Sequence, residues 1–185
     1  GPHADLDSSQ VEIRMGVRIP PANQWSTSAP QWTRESAALV NAVLGGPFQS
    51  RLNKLIRDDL GLSYGIDSDL TFTKHEGAWT LSTSTQAKSI GTVLSKISAV
   101  IDRTKHEELL LSELRAAQDY LKGSFVMGFA SPLSAISRWL TYFSLGLPLD
   151  TADHYIENIE KVSLDEINRA AQNLLMDQPG RFVTV

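Results

Sequence analysis

Apolar and polar residues alternate with a period of two in three stretches of the chain, and this pattern limits its possible folds more than any other feature. Residues 11–19 form the first stretch and residues 62–72 the second, while a third carries Trp79 and Leu81 after a loop around His75. A two-residue period is typical of strands that bury one face. The sequence therefore predicts an opening strand and, later, a β-hairpin.

Helical periodicity occupies most of the remaining chain. Apolar residues recur at three- and four-residue intervals over 90–101, which predicts an amphipathic helix lying on the sheet. Thr104 and Glu107 have the spacing of a capping box and predict the start of a second, long helix. More helices are predicted farther along, and residues 181–185 are predicted to form a last strand.

This order of elements predicts the fold class α/β (α+β). The expected architecture is a two-layer sandwich in which helices cover one side of a mostly antiparallel sheet. With 185 residues, 42% of them hydrophobic, the chain can bury the core of one ordinary domain. Residues 1–3 are predicted to be the remnant of an expression tag, and residues 4–185 to be a single domain excised from a longer chain.

Composition disfavours several classes of function. The formal net charge of -4 predicts no binding of nucleic acid, whose phosphates require a basic surface. The chain has no cysteine, so disulfides and sulfur-ligated metal sites are excluded. No apolar run approaches the ~20 residues of a membrane span, so no membrane insertion is expected.

A search for catalytic motifs finds none. The four histidines include no pair at the H-E-x-x-H or H-x-x-E-H spacing that brings two imidazoles together for zinc. His106 precedes two glutamates, but Leu109 and Leu110 occupy the positions where a second ligand would be needed. There is also no nucleophile elbow, P-loop or dinucleotide fingerprint. The residues alone therefore assign no catalytic or metal-binding group.

One segment carries a compound motif. Residues 41–64 read N-A-V-L-G-G-P-F-Q-S-R-L-N-K-L-I-R-D-D-L-G-L-S-Y. This segment resembles a signature of the second domain in the insulinase, pitrilysin and mitochondrial processing peptidase family: an L-G-G turn, then S-R-L, an L-R pair and G-L-x-Y. The one departure is Ile56, where leucine is usual, and that change conserves side-chain volume. Similar segments at residues 15–16 and 113–123 extend the resemblance over nearly the whole chain.

The resemblance implies the LuxS and processing-peptidase-like metallohydrolase fold and the role of a zinc-free domain. In such zinc metallopeptidases a related domain carries the zinc ligands in an H-x-x-E-H motif, together with the general-base glutamate. The cofactor zinc is therefore expected on that partner, and none in this chain. The implied partners are the zinc-bearing homologous domain or subunit and a peptide substrate, and the chain alone is expected to be inactive.

The resemblance also implies two substrate-binding residues. The family places an arginine and a tyrosine, seven positions apart, where both reach the substrate near the zinc, and Arg57 and Tyr64 match this pair. Their chemistry suits the role, because a guanidinium offers several donors to a carbonyl and a phenol donates to a developing oxyanion.

The residue pattern alone gives other interpretations. Tyr64 shares the predicted strand face of Leu62 and Ile66, which favours a core position, and Arg57 alone would be a charge at a helix end. Arg51, in the S-R-L element, is interpreted as structural, binding backbone carbonyls or an acidic neighbour. Three aromatic residues in the helix after Pro132 could line a chamber, but their helical spacing is more typical of a core; they are Trp139, Tyr142 and Phe143.

Two functional hypotheses follow. The first is a domain or subunit that closes the chamber of a zinc metalloendopeptidase and binds peptide there, with Arg57 and Tyr64 assisting a zinc held elsewhere. The second is a degenerate, non-catalytic scaffold or assembly subunit of the same family. An H-x-x-E-H motif in the same protein or in a neighbouring subunit would favour the first. The sequence specifies neither the peptide nor the compartment.

Overall fold

A computed structural model describes residues 9–21, 33–175 and 182–184, and the predicted tag remnant, residues 1–3, lies outside them. The sheet has the order β2-β3-β1-β4 and its neighbouring strands are antiparallel. The strands are β1 (Gln10–Ile19), β2 (Ile66–Phe72), β3 (Gly77–Gln86) and β4 (Phe182–Thr184). The predicted opening strand, hairpin and last strand are therefore confirmed.

Helices cover one face of this sheet. They are α1 (Arg34–Leu44), α2 (Arg51–Asn53), α3 (Ile90–His106), α4 (Leu111–Met127), α5 (Pro132–Ser144), α6 (Tyr155–Lys161) and α7 (Leu164–Leu175). A π-helical segment (Lys54–Asp59) continues α2, and its wider turn brings the amide of Leu60 to the carbonyl of Leu55 at 3.0 Å. The predicted two-layer α+β sandwich is confirmed.

Alternation along β1 assigns its two faces. Ile13 and Val17 point into the core, whereas Glu12, Arg14 and Arg18 are exposed. The same alternation along β2 and β3 leaves polar side chains on the outer face of the sheet. The inner face packs under helix residues that are almost completely buried, among them Leu39, Leu44, Ile97, Ile167 and Leu174.

Two predicted boundaries are wrong. The second alternating run forms a strand only from Ile66, because the chain leaves the π-helical segment through Gly61, whose φ of 59° is a left-handed conformation that glycine tolerates best. Thr104 lies inside α3 rather than at the start of a helix, and its hydroxyl donates to the carbonyl of Val100 at 2.8 Å. The long helix begins later, at Leu111.

Helix α5 is apolar on both its inner and outer sides. Its start at the Ser131 cap and its end before Gly146, with φ of 70°, fit the sequence. Tyr142 is buried as predicted, but the core interpretation is wrong for Trp139 and Phe143, which are 36% and 73% exposed. The outer side carries an apolar stripe without charge, formed by Leu133, Ile136, Leu140 and Phe143, each 56–75% exposed. We call these four residues the α5 stripe.

No helix in the described part of the chain combines the length and the apolar character that crossing a membrane requires.

Candidate functional site

The π-helical segment after α2 carries Arg57. Its guanidinium carbon lies 4.4 Å from the centre of the Phe48 ring, and its Nε forms an ion pair with Asp58 Oδ1 at 3.1 Å. Stacking on an aromatic face holds a guanidinium in place while leaving donors on its rim available. The Arg57 side chain is 36% exposed and therefore accessible to a ligand.

Tyr64 lies in the connection between the π-helical segment and β2 and is 90% exposed. The core position that its alternating pattern favours is therefore wrong. Its neighbour Ser63 fixes the connection, since the Ser63 hydroxyl donates to the carbonyl of Gly65 at 2.9 Å and lies 2.8 Å from the hydroxyl of Thr83 on β3. The phenol thus projects from a connection that is tied to the sheet.

Arg57 and Tyr64 line one open pocket of about 460 Å³. The other lining residues are Gln10, Gly61, Leu62, Ser63, Ser84, Thr85, Gln86 and Ser89. The structure therefore brings the two predicted substrate-binding residues to a common surface. This pocket offers mainly hydroxyl, amide and guanidinium donors, a set suited to the carbonyl groups of a peptide.

A second pocket, of about 720 Å³, shares Tyr64 and Ser63 with the first and extends over the outer face of the sheet. Its acidic lining residues are Glu12 and Asp67, and Glu12 is paired with Arg14 at 2.9 Å. The two pockets form a continuous depression beside the start of β2.

The start of β2 is closed to strand addition. Asn53, buried below the π-helical segment, accepts from the Ile66 amide at 2.8 Å and donates to the Ile66 carbonyl at 2.9 Å. Asn41 on α1 donates to the carbonyl of Ser68 at 3.0 Å and accepts from the Trp79 indole at 2.9 Å. These carboxamides take the backbone bonds that an added peptide strand would need there.

Arg51 is structural, as predicted. Its guanidinium binds both carboxylate oxygens of Glu113, at 2.6 and 2.8 Å, and the hydroxyl of Thr104 at 3.1 Å. Burial raises the pKa of Glu113, but the hydrogen bonds from Arg51 and from the Leu110 amide outweigh it, so the pKa is lowered. The bidentate pair with Glu113 joins α2 to α4. The hydrogen bond to Thr104 joins α2 to α3.

The described residues do not fit a zinc site. Among them, no three side chains of the metal-binding types come together. His75, His106 and His154 are all exposed, and His3 lies outside the described ranges. The nearest approach to a cluster is at His154, whose ring nitrogens are 3.8 Å from Asp150 and from Glu157.

Two residues beside the site were missed by sequence reasoning. Phe48 precedes α2 and is 69% exposed. Tyr120 on α4 is 42% exposed and also lines the larger pocket. The G-G-P turn directly before Phe48 was a usable signal, because it places that side chain outside the helix; Tyr120 gave no such signal.

Comparisons with known proteins agree with this fold. The model of the peptidase M16 inactive domain matches residues 3–121. A crystal structure of a peptidase M16 inactive domain from Pseudomonas fluorescens superimposes with a TM-score of 0.78 and 21% identity, covering 95% of this chain and 40% of that one.

Two curated relatives are longer proteins. An uncharacterized zinc protease of Mycobacterium tuberculosis is 25% identical over 178 residues, which are 96% of this chain and 39% of that protein. The non-peptidase homolog YmxG of Helicobacter pylori is 35% identical over 130 residues, which are 68% of this chain and 29% of that protein. This chain thus spans less than half of each relative. Because the family model matches well over half of it, the chain belongs to the family of peptidase M16 inactive domains.

Proposed function

We propose that this chain is the zinc-free domain or subunit of a zinc metalloendopeptidase and that it binds the peptide substrate. The observation that carries the proposal is the common pocket of Arg57 and Tyr64. In this role, Arg57 donates to a carbonyl of the bound peptide. The exposed phenol of Tyr64 donates to the oxygen of the scissile carbonyl as negative charge develops there.

The zinc and the general base belong to a partner in this proposal. Relatives named zinc proteases are more than twice as long as this chain, and the described residues contain no cluster suited to a metal. Zinc bound on the partner supplies Lewis-acid activation of the scissile carbonyl. The residues of this chain hold the peptide and stabilise charge.

The α5 stripe supports the existence of such a partner. Its four large apolar side chains are exposed together and no charged residue interrupts them. An exposed patch of this kind is typical of surfaces that another protein covers. We assign it to the zinc-bearing domain or subunit.

The proposal is tested in the complete enzyme. Arg57→Ala and Tyr64→Phe are each expected to lower turnover by about 10² to 10³, because each removes one donor to the substrate, while zinc content stays unchanged. Arg115→Ala, at an exposed arginine on α4, is the matched control and should leave turnover unaltered. Normal turnover in both site variants would remove the assignment.

The scaffold alternative is favoured by one observation, the name of the Helicobacter pylori relative as a non-peptidase homolog. The two hypotheses differ in what the partner contains. A peptidase requires an H-x-x-E-H motif in the same protein or in a neighbouring subunit, and a scaffold does not. Bound zinc and peptide hydrolysis by the purified complete protein would decide against the scaffold.

A further inference from the structure

A third surface depression adjoins the candidate site. It is an open groove of about 480 Å³ between α4 and the turn that joins α1 to α2. Its lining residues are Ala42, Val43, Pro47, Phe48, Gln49, Ser50, Ser112, Glu113, Ala116, Ala117 and Tyr120. Five of these eleven residues are small and apolar, and they leave room between two aromatic walls, Phe48 and Tyr120.

Two of the polar residues that line this groove, Glu113 and Ser50, are already engaged within the chain, while Gln49 and Ser112 are exposed to solvent. Glu113 is its one charged lining residue, and both of its carboxylate oxygens bind Arg51. The hydroxyl of Ser50 accepts from the side-chain amide of Asn53 at 3.1 Å. A ligand entering the groove meets mainly apolar surface, and the one carboxylate there is already paired with Arg51, so a charged side chain would find no free opposite charge to offset its desolvation.

The groove is continuous with the candidate site. Phe48 and Tyr120 line both the groove and the 720 Å³ pocket, and that pocket shares Tyr64 with the pocket of Arg57. The guanidinium carbon of Arg57 also lies 4.4 Å from the centre of the Phe48 ring. A single aromatic side chain therefore separates the groove from the Arg57 guanidinium, a separation that about two residues of extended peptide span.

We propose that this groove is a binding site for a bulky apolar side chain of the peptide, close in sequence to the carbonyl that Arg57 holds. This inference rests on the proposed function and names the class of peptide: extended segments with an aromatic or large aliphatic residue. Phe48 has two roles in it, as a wall of the groove and as the support that positions Arg57.

The test measures binding by the chain itself and needs neither zinc nor turnover. Two short fluorescent peptides are titrated, built from glycine, serine and glutamine except for one central residue, Phe in one and Ser in the other. The Phe peptide is expected to bind at least about tenfold more tightly, because its ring leaves water. Ala116→Trp, which places an indole across the groove, should abolish this preference.

Ala99→Trp is the matched control, since Ala99 is an exposed alanine on α3 that does not line the groove. It should keep the preference of the unaltered chain, and thermal unfolding followed by circular dichroism checks that both variants fold. Equal binding of the two peptides by the unaltered chain, no measurable binding of the Phe peptide, or a preference that persists in Ala116→Trp would each overturn the inference.

Failure of the proposed function gives a different result. Normal turnover of the Arg57→Ala and Tyr64→Phe enzymes, together with an intact Phe preference that Ala116→Trp abolishes, would refute the catalytic assistance and leave the groove as a peptide site. Reduced turnover in those variants without a Phe preference would refute the groove alone.

Discussion

Glu113 links two helices of the helical layer, because its carboxylate on α4 binds Arg51 on α2. Its carboxylate is half-buried and takes two hydrogen bonds from Arg51 and one from the Leu110 amide at the start of α4. We expect Glu113→Gln to lower the free energy of unfolding by about 2 kcal/mol, because a charge-assisted bidentate pair is lost. Urea denaturation measures this change, and Glu107→Gln, at the exposed pair with Arg103, should produce none.

The same carboxylate predicts a dependence on pH. Because the pKa of Glu113 is lowered in the folded chain, its stabilising contribution is complete above the unfolded pKa of about 4.3. The contribution is lost as the pH falls through the folded pKa. The difference in unfolding free energy between the unaltered chain and Glu113→Gln should therefore shrink below about pH 4. A difference that stays constant down to the acid limit of folding would contradict this account.

Asn53 is the second residue whose substitution should strongly lower the free energy of unfolding. Asn53→Ala would leave the buried amide and carbonyl of Ile66 without their partners. We expect a loss of about 2 to 4 kcal/mol in the free energy of unfolding, measured by urea denaturation. Asn158→Ala, at an exposed position of α6, is the control and should change little. A small effect at Asn53 would mean that water replaces its carboxamide.

Sequence reasoning anticipated the role of Arg51 but not its partner. An arginine in a short helix predicts an acidic neighbour or backbone carbonyls, whereas Glu113 lies 62 positions away and only the packing of α4 brings it close. The core position predicted for Tyr64 is wrong for a different reason. Its alternation with Leu62 and Ile66 predicts a buried strand face, but β2 has not yet begun at that position.

At the scale of the elements, replacing either of two glycines by alanine should change the free energy of unfolding, in opposite directions. Gly61 ends the helical segment in a left-handed conformation, so Gly61→Ala should destabilise the fold by about 1 to 2 kcal/mol. Gly123 lies exposed within α4 with open space around it, so Gly123→Ala should stabilise by about 1 kcal/mol. Thermal unfolding of the two variants checks the signs, and the same direction of change in both would refute the helix-end interpretation.

The ends of elements were the least predictable part of the fold. Helix α7 begins after Ser163, whose hydroxyl accepts from the Glu166 amide at 3.2 Å, three residues along as capping spacing requires. The equal spacing of Thr104 and Glu107 was misleading, because apolar packing carries α3 through Thr104. The π-helical turn that carries Arg57 has no signal in the sequence, since π and α turns accept the same residues.

At the scale of the whole molecule, the α5 stripe is an apolar surface that the described part of the fold leaves uncovered. Leu140→Glu should leave the unfolding midpoint almost unchanged, because the side chain is exposed, but it should weaken association with the zinc-bearing domain or subunit. Sedimentation velocity of the mixed components measures this association. Ser95→Glu, at an exposed position of α3, is the control, and equal association of the two variants would show that the stripe is covered by something else.

The layered architecture was predictable from periodicity, because strand and helix periods alone separate the two layers. The groove and the approach of Phe48 to Arg57 were not, since they depend on how α4 packs beside the α1–α2 turn.

The asparagines at the start of β2 have a consequence for the solution behaviour of the isolated chain. A bare strand edge beside an open depression can template addition of identical chains, the route by which sheet proteins polymerise. The side-chain amides of Asn41 and Asn53 already bind backbone carbonyls of β2. Another copy of the chain therefore cannot pair a strand with β2 at this point. The surface that we propose to bind unfolded peptides is thereby protected against fibril formation through strand pairing between copies of the chain.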